Sequence, residues 1–438
     1  MLGTDRIAIV LIGDGMGGRP LGEPFGKTTI EKANTPNLDR LAGRGMCGLM
    51  DPIAPGVRAG SDTSHLAILG YDPFRYYRGR GPFECRGIGM DVRVGDVGFR
   101  CNFSTMDEQG IVIDRRAGRI EEGTDKLLDG LNGIEIEGIA CYIEPSVAHR
   151  AGLVLRGEGL SHRVTDVDPH TEGVHYHESV PMDDSPEAAK TARVLNAFVQ
   201  RAIEHLAQDR HGVNTARKEA GLPLANVLTP RGAGVAPDLP PFGVAANDEK
   251  ARWAELGPGD RAHIKQGIGL SGAMVVETGL IWGIGYFIGM EVIKVEGATG
   301  GHDTDIEAIG RAVLAAREQH NFILCNVKCP DVGGHDRKPH EKIAAIEKVD
   351  VLAGMLLDEL DFSRTVLVVS ADHATPVSVG DHSGDPVPIM FCGLGVAADN
   401  VGQYGERACA SGSVGRIHGR DIVNMATNLL DIQEKFGA

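Results

Sequence analysis

The stretch TVLVVSADHATP, residues 365–376, decides the fold of this chain. It begins with a run of apolar and β-branched residues, which is typical of a strand that is buried on both faces. A carboxylate and an imidazole, Asp372 and His373, follow this run side by side. In open α/β sheets, ligands bind beyond the carboxyl ends of the strands. We therefore predict an α/β sheet with a ligand site at the end of this strand.

Other residues of the kind that bind metals are placed in a similar way. They are Asp14 in IVLIGDGMGG, Ser61 in AGSDTSH, Asp331 and His335 in CPDVGGHD, and His382 in VGDHSGDPVP. Carboxylates and imidazoles together suit Zn²⁺ or Mn²⁺, and one serine among them indicates a nucleophile bound to the metal. Each residue also has an ordinary reading: Asp14 as a helix cap, Ser61 as an N-cap, His382 as a surface histidine. The set taken together favours a metal site.

Strands and helices alternate near both ends of the chain. The predicted strands are residues 6–12, 322–327, 365–370 and 388–392, and the predicted helices are residues 305–319, 341–360 and 421–430, with a further helix that starts at Thr35-Pro36. Such alternation indicates a mostly parallel sheet covered by helices on both faces, which is the α/β class.

The middle of the chain shows a less regular alternation of strands and helices, and the candidate metal-binding residues lie only before and after it. If they form one site, both chain ends must build one domain. We therefore expect a metal-binding core domain from residues 1–73 and 299–438. Residues 74–298 would form an inserted second α/β domain that binds substrate and acts as a lid.

Composition narrows the class of protein. The chain has 438 residues, of which 42% are hydrophobic and 24% charged, as in a globular protein. Its net charge of −16 argues against nucleic-acid binding, which needs a basic surface. No run reaches the ~18 apolar residues of a membrane span, and no secretory signal is evident. A cytoplasmic protein with no membrane partner is expected.

Eight motifs carry a resemblance to a known family. They are, in chain order, IGDGMGGRP, TPNLDRLAGRG, GSDTSHLAILGYDP, GRGPFE, DRRAGR, GATGG, PDVGGHD and SADHATP. Each motif alone is weak, but the ordered set resembles the archaeal-type cofactor-independent phosphoglycerate mutases of the alkaline phosphatase superfamily. The resemblance covers nearly the whole chain. It implies an alkaline phosphatase-like core and a glycolytic isomerase that interconverts 3-phosphoglycerate and 2-phosphoglycerate without bisphosphoglycerate.

The resemblance also implies roles for the residues at the strand ends. Ser61 would accept the phosphoryl group and form a phosphoserine, because metal coordination activates an otherwise poor nucleophile. Two divalent ions are implied, with Mn²⁺, Zn²⁺ or Co²⁺ expected and Mg²⁺ possible. One ion would be held by Asp331, His335 and His382, and the other by Asp14, Ser61, Asp372 and His373.

A mutase differs from a phosphatase because it must keep its phosphoserine from water while glycerate turns around. The small-molecule substrate carries a phosphate and a carboxylate, and both suit bidentate arginine. The candidate substrate-binding residues are Arg116, Arg119, His149, Arg150, Arg163, Asp168 and Arg231. Asp168 and His170 are also candidates for proton transfer between hydroxyls. The ordinary alternative for the arginines is a solvated surface.

Three other functions stay open. The same core would serve a metal-dependent phosphomonoesterase, a mutase for a related phosphorylated or phosphonate metabolite, or a non-catalytic metal-binding protein. ATP use is unsupported because Gly300-Gly301-His302-Asp303 lacks the Gly-Lys-Ser/Thr of a P-loop. A sulfatase is unsupported because no Cys-x-Pro-x-Arg sequence stands at the nucleophile position.

Overall fold

The computed structural model describes residues 5–22, 26–243 and 269–433. The chain divides into two compact units. The core unit comprises residues 1–76 and 239–438, and the inserted unit comprises residues 77–238. Both ends of the chain therefore build one unit, and the middle forms the other.

The described part of the core unit is built on an eight-stranded sheet. In spatial order its strands are Glu291–Ile293, Gly272–Val276, Phe322–Val327, Ile7–Gly13, Thr365–Ser370, Val387–Gly393, Gly45–Asp51 and Gly415–His418. Neighbouring strands are parallel except on either side of Val387–Gly393, which is antiparallel to both its neighbours. The prediction of a mostly parallel α/β sheet is confirmed.

Helices cover both faces of this sheet. Every residue of the central strands Ile7–Gly13, Phe322–Val327 and Thr365–Ser370 is buried, as expected for nearly continuous apolar runs between two helical layers. The described helices are Thr29–Lys32, Pro36–Ala42, Ser61–Ile68, Pro73–Tyr76, Gly279–Ile288, Ile306–Ala316, Cys329–His335, Pro339–Glu359, Glu406–Cys409 and Asp421–Leu429. Among the described residues, no helix has the combination of length and apolar character that crossing a bilayer requires.

The strand directions bring several loops to one edge of the sheet. The parallel strands Ile7–Gly13, Phe322–Val327 and Thr365–Ser370 all end there. Because Val387–Gly393 runs the other way, its first residues lie at the same edge. The strand Gly45–Asp51 is antiparallel to it and so ends at this edge as well. Segments that are distant in sequence therefore meet at the carboxyl edge.

The predicted end of the insertion at residue 298 is wrong. The strands Gly272–Val276 and Glu291–Ile293 pair in parallel within the core sheet, and the helix Gly279–Ile288 joins them. The chain has therefore returned to the core unit by Leu239. Glycines interrupt this segment and its second strand has only three residues, so its pattern resembles that of the irregular middle.

The inserted unit contains a second sheet with a different pattern. Its strands are Val97–Met106, Ile111–Asp114, Ile134–Ile136, Ile139–Pro145, Arg150–Arg156, Val174–His175 and Val227–Val235. Its helices are Gly81–Gly87, Thr124–Leu128, Pro186–Ala207 and Val213–Glu219, with a short 3₁₀ helix at Ala117–Arg119. The unit combines helices and strands as predicted, but all its strand pairs are antiparallel.

The helix Pro186–Ala207 supplies much of the core of the inserted unit. Ser185 is its N-cap and accepts a hydrogen bond from the backbone N–H of Ala188, while Pro186 takes the first helical position. Its apolar face includes the fully buried Leu195 and Phe198, which pack in the same cluster as side chains from the sheet. The helix and the sheet therefore share one apolar core.

Candidate active site

The structure places all of the predicted metal-binding residues at the carboxyl edge of the core sheet. Six of the seven form two clusters of ligand atoms, which we call the first cluster (Asp331, His335, His382) and the second cluster (Asp14, Asp372, His373), and the seventh is Ser61. The atoms that each cluster offers lie within 4.8 Å of one another.

In the first cluster, the two imidazoles are held by backbone carbonyls. Nδ1 of His335 lies 3.2 Å from the carbonyl of Gly380, and Nδ1 of His382 lies 2.7 Å from the carbonyl of Ala59. Because a carbonyl only accepts, each Nδ1 carries a proton, and Nε2 of each ring faces inward, as a lone pair when the ring is neutral and as a donor to Asp331 when it is protonated. The two Nε2 atoms are 3.1 Å apart, and Asp331 approaches them at 3.4 and 3.5 Å.

Two nitrogen lone pairs this close repel unless a proton or a cation lies between them. The carboxylate of Asp331 raises the pKa of His335, and it also raises that of His382, where burial alone would lower it. Burial alone would raise the pKa of Asp331 itself, but its hydrogen bonds with the two histidines outweigh burial and hold the pKa low. One carboxylate and two oriented imidazoles are a donor set that fits Zn²⁺ or Mn²⁺.

The second cluster is completely buried. Nε2 of His373 lies 3.8 Å from Oδ1 of Asp14 and 3.3 Å from Oδ2 of Asp372. The hydroxyl of Thr375 donates to Asp331 at 2.6 Å and therefore accepts from Nδ1 of His373 at 3.1 Å. This bond places the proton of the neutral ring on Nδ1, so Nε2 of His373 turns its lone pair toward the carboxylates. Burial lowers the pKa of His373 to about 3, which keeps the ring neutral.

The carboxylates of both clusters are neutralised in part by Lys328, which sequence reasoning missed. Burial and the neighbouring Asp372 raise the pKa of Asp14. Nζ of Lys328 lies 2.7 Å from Oδ1 of Asp14 and 2.7 Å from Oδ2 of Asp331. Burial alone would lower the pKa of Lys328, but these carboxylates raise it and keep the ammonium charged. Its place directly after a buried strand, beside the ligand motif, is the sequence signal that points to it.

Ser61 lies beside the second cluster. It is the first residue of the helix Ser61–Ile68, and Gly60 is the N-cap, so the N-cap reading of the serine is wrong. Its Oγ lies 3.1 Å from Nε2 of His373. The hydroxyl of Ser61 donates to the lone pair on this nitrogen, and its Oγ therefore points toward the second cluster.

Two further buried residues connect Ser61 to the second cluster, and neither was predicted. Nδ1 of His65 donates to the carbonyl of Ser61 at 2.7 Å. The amide of Asn326 donates to Nε2 of His65 at 3.1 Å and to Oδ2 of Asp14 at 3.0 Å. The orientations of the serine backbone and of one carboxylate are therefore coupled.

The inserted unit contains a cationic cavity of about 440 Å³, which we call the arginine pocket. Its polar lining consists of Arg100, Asn102, Arg115, Arg116, Arg119, Glu121, His149, Arg150 and Arg231. Three buried polar atoms of this lining have no hydrogen-bond partner among the described residues: Nε of Arg100, Oδ1 of Asn102 and Nδ1 of His149. Unpaired buried polar atoms call for a ligand or water. The pocket therefore suits a small anion with further polar groups.

The surroundings of His149 in this pocket favour its neutral form. Burial lowers its pKa to about 4, and the positive charges of Arg150 and Arg116 add to the shift. The charge that attracts an anion therefore comes from the guanidinium groups. Arg116, Arg119, His149, Arg150 and Arg231 line the cavity. Their role in substrate binding stays a prediction.

Asp168 and Arg163, which are also predicted to bind substrate, do not line the cavity. Asp168 is 0% exposed, and both its oxygens accept from Arg115, at 2.8 and 2.7 Å, with Arg231 at 3.6 Å. Burial alone would raise its pKa, but the hydrogen bonds from Arg115 outweigh burial and lower the pKa. Asp168 is thus an orienting group for arginines. Arg163 has a side chain that is 51% exposed and pairs with Asp183 at 3.5 Å.

The imidazole of His170, which is a candidate for proton transfer, does not line the arginine pocket. Its ring is half exposed and pairs with Asp166 at 2.9 Å, while its backbone N–H donates to Asp168 at 3.0 Å. The tight turn after Val167 brings the backbone, not the imidazole, to the buried carboxylate.

Known proteins are similar to this chain over its whole length. A family model described as 2,3-bisphosphoglycerate-independent phosphoglycerate mutase matches residues 42–214. The protein of that name (number 1) from Methanothermobacter thermautotrophicus is 46% identical over 435 residues, which is 98% of this chain and 99% of the relative. The one from Methanopyrus kandleri is 44% identical over 442 residues, covering 100% and 99%. The chain belongs to this mutase family.

Two solved structures are similar to this chain over nearly its whole length. The PH0037 protein from Pyrococcus horikoshii aligns with a TM-score of 0.80 and 34% identity, covering 99% of this chain and 100% of that one. The cofactor-independent phosphoglycerate mutase from Thermoplasma acidophilum aligns with a TM-score of 0.66 and 32% identity, covering 97% and 99%. The resemblance that the eight motifs indicated is confirmed, and with it the enzyme class.

Proposed function

We propose that this enzyme interconverts 3-phosphoglycerate and 2-phosphoglycerate through a phosphoserine on Ser61, with two divalent metal ions and without bisphosphoglycerate. One observation carries the proposal: Oγ of Ser61 lies 3.1 Å from the unprotonated Nε2 of His373, beside two clusters of metal-type ligands. The names of the full-length relatives support the reaction.

The residues present fit two divalent ions. Asp331, His335 and His382 would hold one, and Asp14, Ser61, Asp372 and His373 the other. Mixed oxygen and nitrogen donors suit Mn²⁺, Zn²⁺ or Co²⁺. When bound, such ions favour the alkoxide of a serine and neutralise charge that develops on a transferring phosphoryl group.

The protein's own residues perform the transfer. Oγ of Ser61 attacks phosphorus, and its proton passes in net terms to the C3 oxygen that leaves. The new Oγ–P bond forms as the bond from phosphorus to the C3 oxygen breaks. In the second half, the C2 hydroxyl of glycerate attacks the phosphorus of the phosphoserine, the Oγ–P bond breaks, and the proton of that hydroxyl passes in net terms to Oγ, which restores Ser61. Lys328 holds a fixed positive charge between Asp14 and Asp331 throughout.

We assign the glycerate to the arginine pocket, which makes the inserted unit a substrate-binding domain. Arginine offers planar, bidentate recognition of carboxylate and phosphate, and the pocket is lined by Arg100, Arg115, Arg116, Arg119, Arg150 and Arg231. Oδ1 of Asn102 is an acceptor without a partner among these donors, and it could accept a hydrogen bond from a hydroxyl group of glycerate. Such a pocket favours a mutase because a phosphatase has no need to retain the alcohol.

The test is a paired assay on the metal-loaded enzyme with 3-phosphoglycerate and no bisphosphoglycerate. Enolase converts newly formed 2-phosphoglycerate, and inorganic phosphate is measured in the same reaction. The proposal expects 2-phosphoglycerate in large excess over phosphate. Phosphate without 2-phosphoglycerate would identify a phosphomonoesterase. If neither 2-phosphoglycerate nor phosphate forms, the result would point to a mutase of another phosphorylated metabolite.

A further inference from the structure

Lys342 is the most unusual buried side chain of the core unit. It lies in the first turn of the helix Pro339–Glu359 and is 0% exposed. Lysines are almost never fully buried unless they are paired. Yet Lys342 forms no ion pair with any residue that the structure describes, so another interaction must hold it in place.

That interaction is a set of three backbone carbonyls. Nζ of Lys342 donates to the carbonyl oxygens of Gly15 at 2.8 Å, Gly17 at 2.8 Å and Thr375 at 2.7 Å. An ammonium has three N–H groups, whereas a neutral amine has only two, so the geometry fits the charged form. Burial lowers the pKa of Lys342 to about 7, and the negative charges of Asp331 and Glu406 offset that effect in part.

The carbonyls belong to the two loops that carry the second cluster. Gly15 directly follows Asp14, and its own N–H donates to Oδ1 of Asp372 at 2.9 Å. Thr375 lies two residues after His373 and holds that imidazole through its hydroxyl. The ammonium therefore ties together two loops that arise from neighbouring strands and lie more than 300 residues apart in sequence.

The backbone of Lys342 reaches the first cluster as well. A Cβ added to Gly333 would lie 2.7 Å from the backbone nitrogen of Lys342, so the two segments are in direct contact. Gly333 lies between Asp331 and His335 in the helix Cys329–His335. One residue thus touches the segments that carry the ligands of both clusters.

We propose that Lys342 is a positioning residue that sets the ligand spacing of both clusters and thereby the affinity for divalent cations. The inference rests on the proposed metal-dependent function. Without the ammonium, three carbonyl dipoles would face one another across a cavity, and the loops bearing Asp14 and His373 would move apart. Loss of groups that support metal ligands typically weakens metal binding 10–100-fold.

The test compares two lysines of the same helix. Lys342→Met removes the charge and keeps most of the volume. Lys348→Met is the matched control, because Nζ of Lys348 also donates to backbone carbonyls, those of His302 and Thr304, on a loop with none of the proposed ligands. Mn²⁺ is titrated into each full-length, metal-stripped protein, and free Mn²⁺ is followed by electron paramagnetic resonance. We expect the Mn²⁺ Kd to rise at least about tenfold for Lys342→Met and less than about twofold for Lys348→Met.

Two results would overturn the inference while leaving the proposed function intact. One is an unchanged Mn²⁺ Kd in folded Lys342→Met, and the other is equal weakening in both lysine variants. If Lys342→Met does not fold, Lys342→Gln takes its place, because it keeps two N–H donors. A smaller but measurable rise in Kd is then expected, and no rise refutes the inference. A parent protein without tight Mn²⁺ sites would overturn this inference and the proposed function together.

Discussion

Asp168→Asn separates an orienting role from a proton-transfer role for the buried carboxylate of the inserted unit. Asp168 accepts two charge-assisted hydrogen bonds from Arg115 and lies 3.6 Å from Arg231 and 3.5 Å from the amide of Asn102. All three partners line the arginine pocket. Asparagine keeps the shape but removes the charge and one acceptor. The change therefore releases the pocket arginines without adding bulk.

The size of the effect follows from these contacts. A hydrogen bond to a charged group contributes roughly 1.5–3 kcal/mol, and breaking a buried ion pair costs about 3–5 kcal/mol. Asparagine retains one acceptor, and the side chain of Arg115 is 20% exposed, so water compensates in part. We expect the free energy of unfolding to fall by roughly 2–4 kcal/mol. Misplaced arginines should weaken 3-phosphoglycerate binding about 10–100-fold, or roughly 1.4–2.8 kcal/mol.

The assay is calorimetric titration of 3-phosphoglycerate into the full-length, metal-loaded protein in a Ser61→Ala background, which prevents turnover. The matched control is Asp96→Asn. Asp96 is also buried and accepts from Arg156 at 3.0 and 2.7 Å, but it does not line the pocket. Asp96→Asn should lose similar stability and keep the same Kd. An unchanged Kd in Asp168→Asn, with turnover lost in the otherwise native enzyme, would refute the orienting role. If both variants weaken 3-phosphoglycerate binding equally, the cause would be a general loss of stability in the inserted unit instead.

Three further results are expected. EDTA should abolish activity and Mn²⁺ or Co²⁺ should restore it, because the ligand clusters fit divalent ions; full activity in protein shown to be metal-free would contradict this. Arg116→Ala or Arg150→Ala should raise the ratio of released phosphate to 2-phosphoglycerate, since glycerate would escape before the phosphoserine returns its phosphate; an unchanged ratio and rate would mean that the glycerate pocket lies elsewhere. His149 has a folded pKa of about 4 and an unfolded value of about 6.5, so the unfolded state takes up the proton first, and the free energy of unfolding should fall as pH drops from about 6.5 to 4. His149→Gln should show a shallower fall in urea titrations across this range, and identical slopes would argue against a neutral His149.

Much of the fold was predictable because the central strands are continuous apolar runs. The predicted strand at 365–370 matches Thr365–Ser370, and that at 388–392 lies within Val387–Gly393. The segment from Gly272 to Ile293 was assigned to the insertion because short strands and frequent glycines carry little periodicity. Its place in the core sheet depends on pairing with Phe322–Val327, which is a tertiary contact.

The metal-type ligands were predictable for a related reason. Each one lies close to the end or the start of a strand, and strand order alone brings those positions together. Lys328 also follows a strand directly, but a lysine is normally solvated, and Lys342 lies in a helix, where strand order gives no signal. Their roles arise from carboxylates and carbonyls on distant loops. The pairing of Asp168 with Arg115 was not predictable either, because it depends on how the antiparallel sheet folds.

The central claim is that the phosphoryl group passes through Ser61. The most direct measurement is mass spectrometry of the metal-loaded enzyme, quenched in acid within milliseconds of mixing with 3-phosphoglycerate. A phosphoserine on the peptide that contains Ser61 is expected, and it should be absent from Ser61→Ala, which should also lose mutase turnover while remaining folded. Formation of 2-phosphoglycerate by Ser61→Ala at a rate near that of the parent, or turnover by the parent with no phosphate on Ser61, would contradict the covalent route.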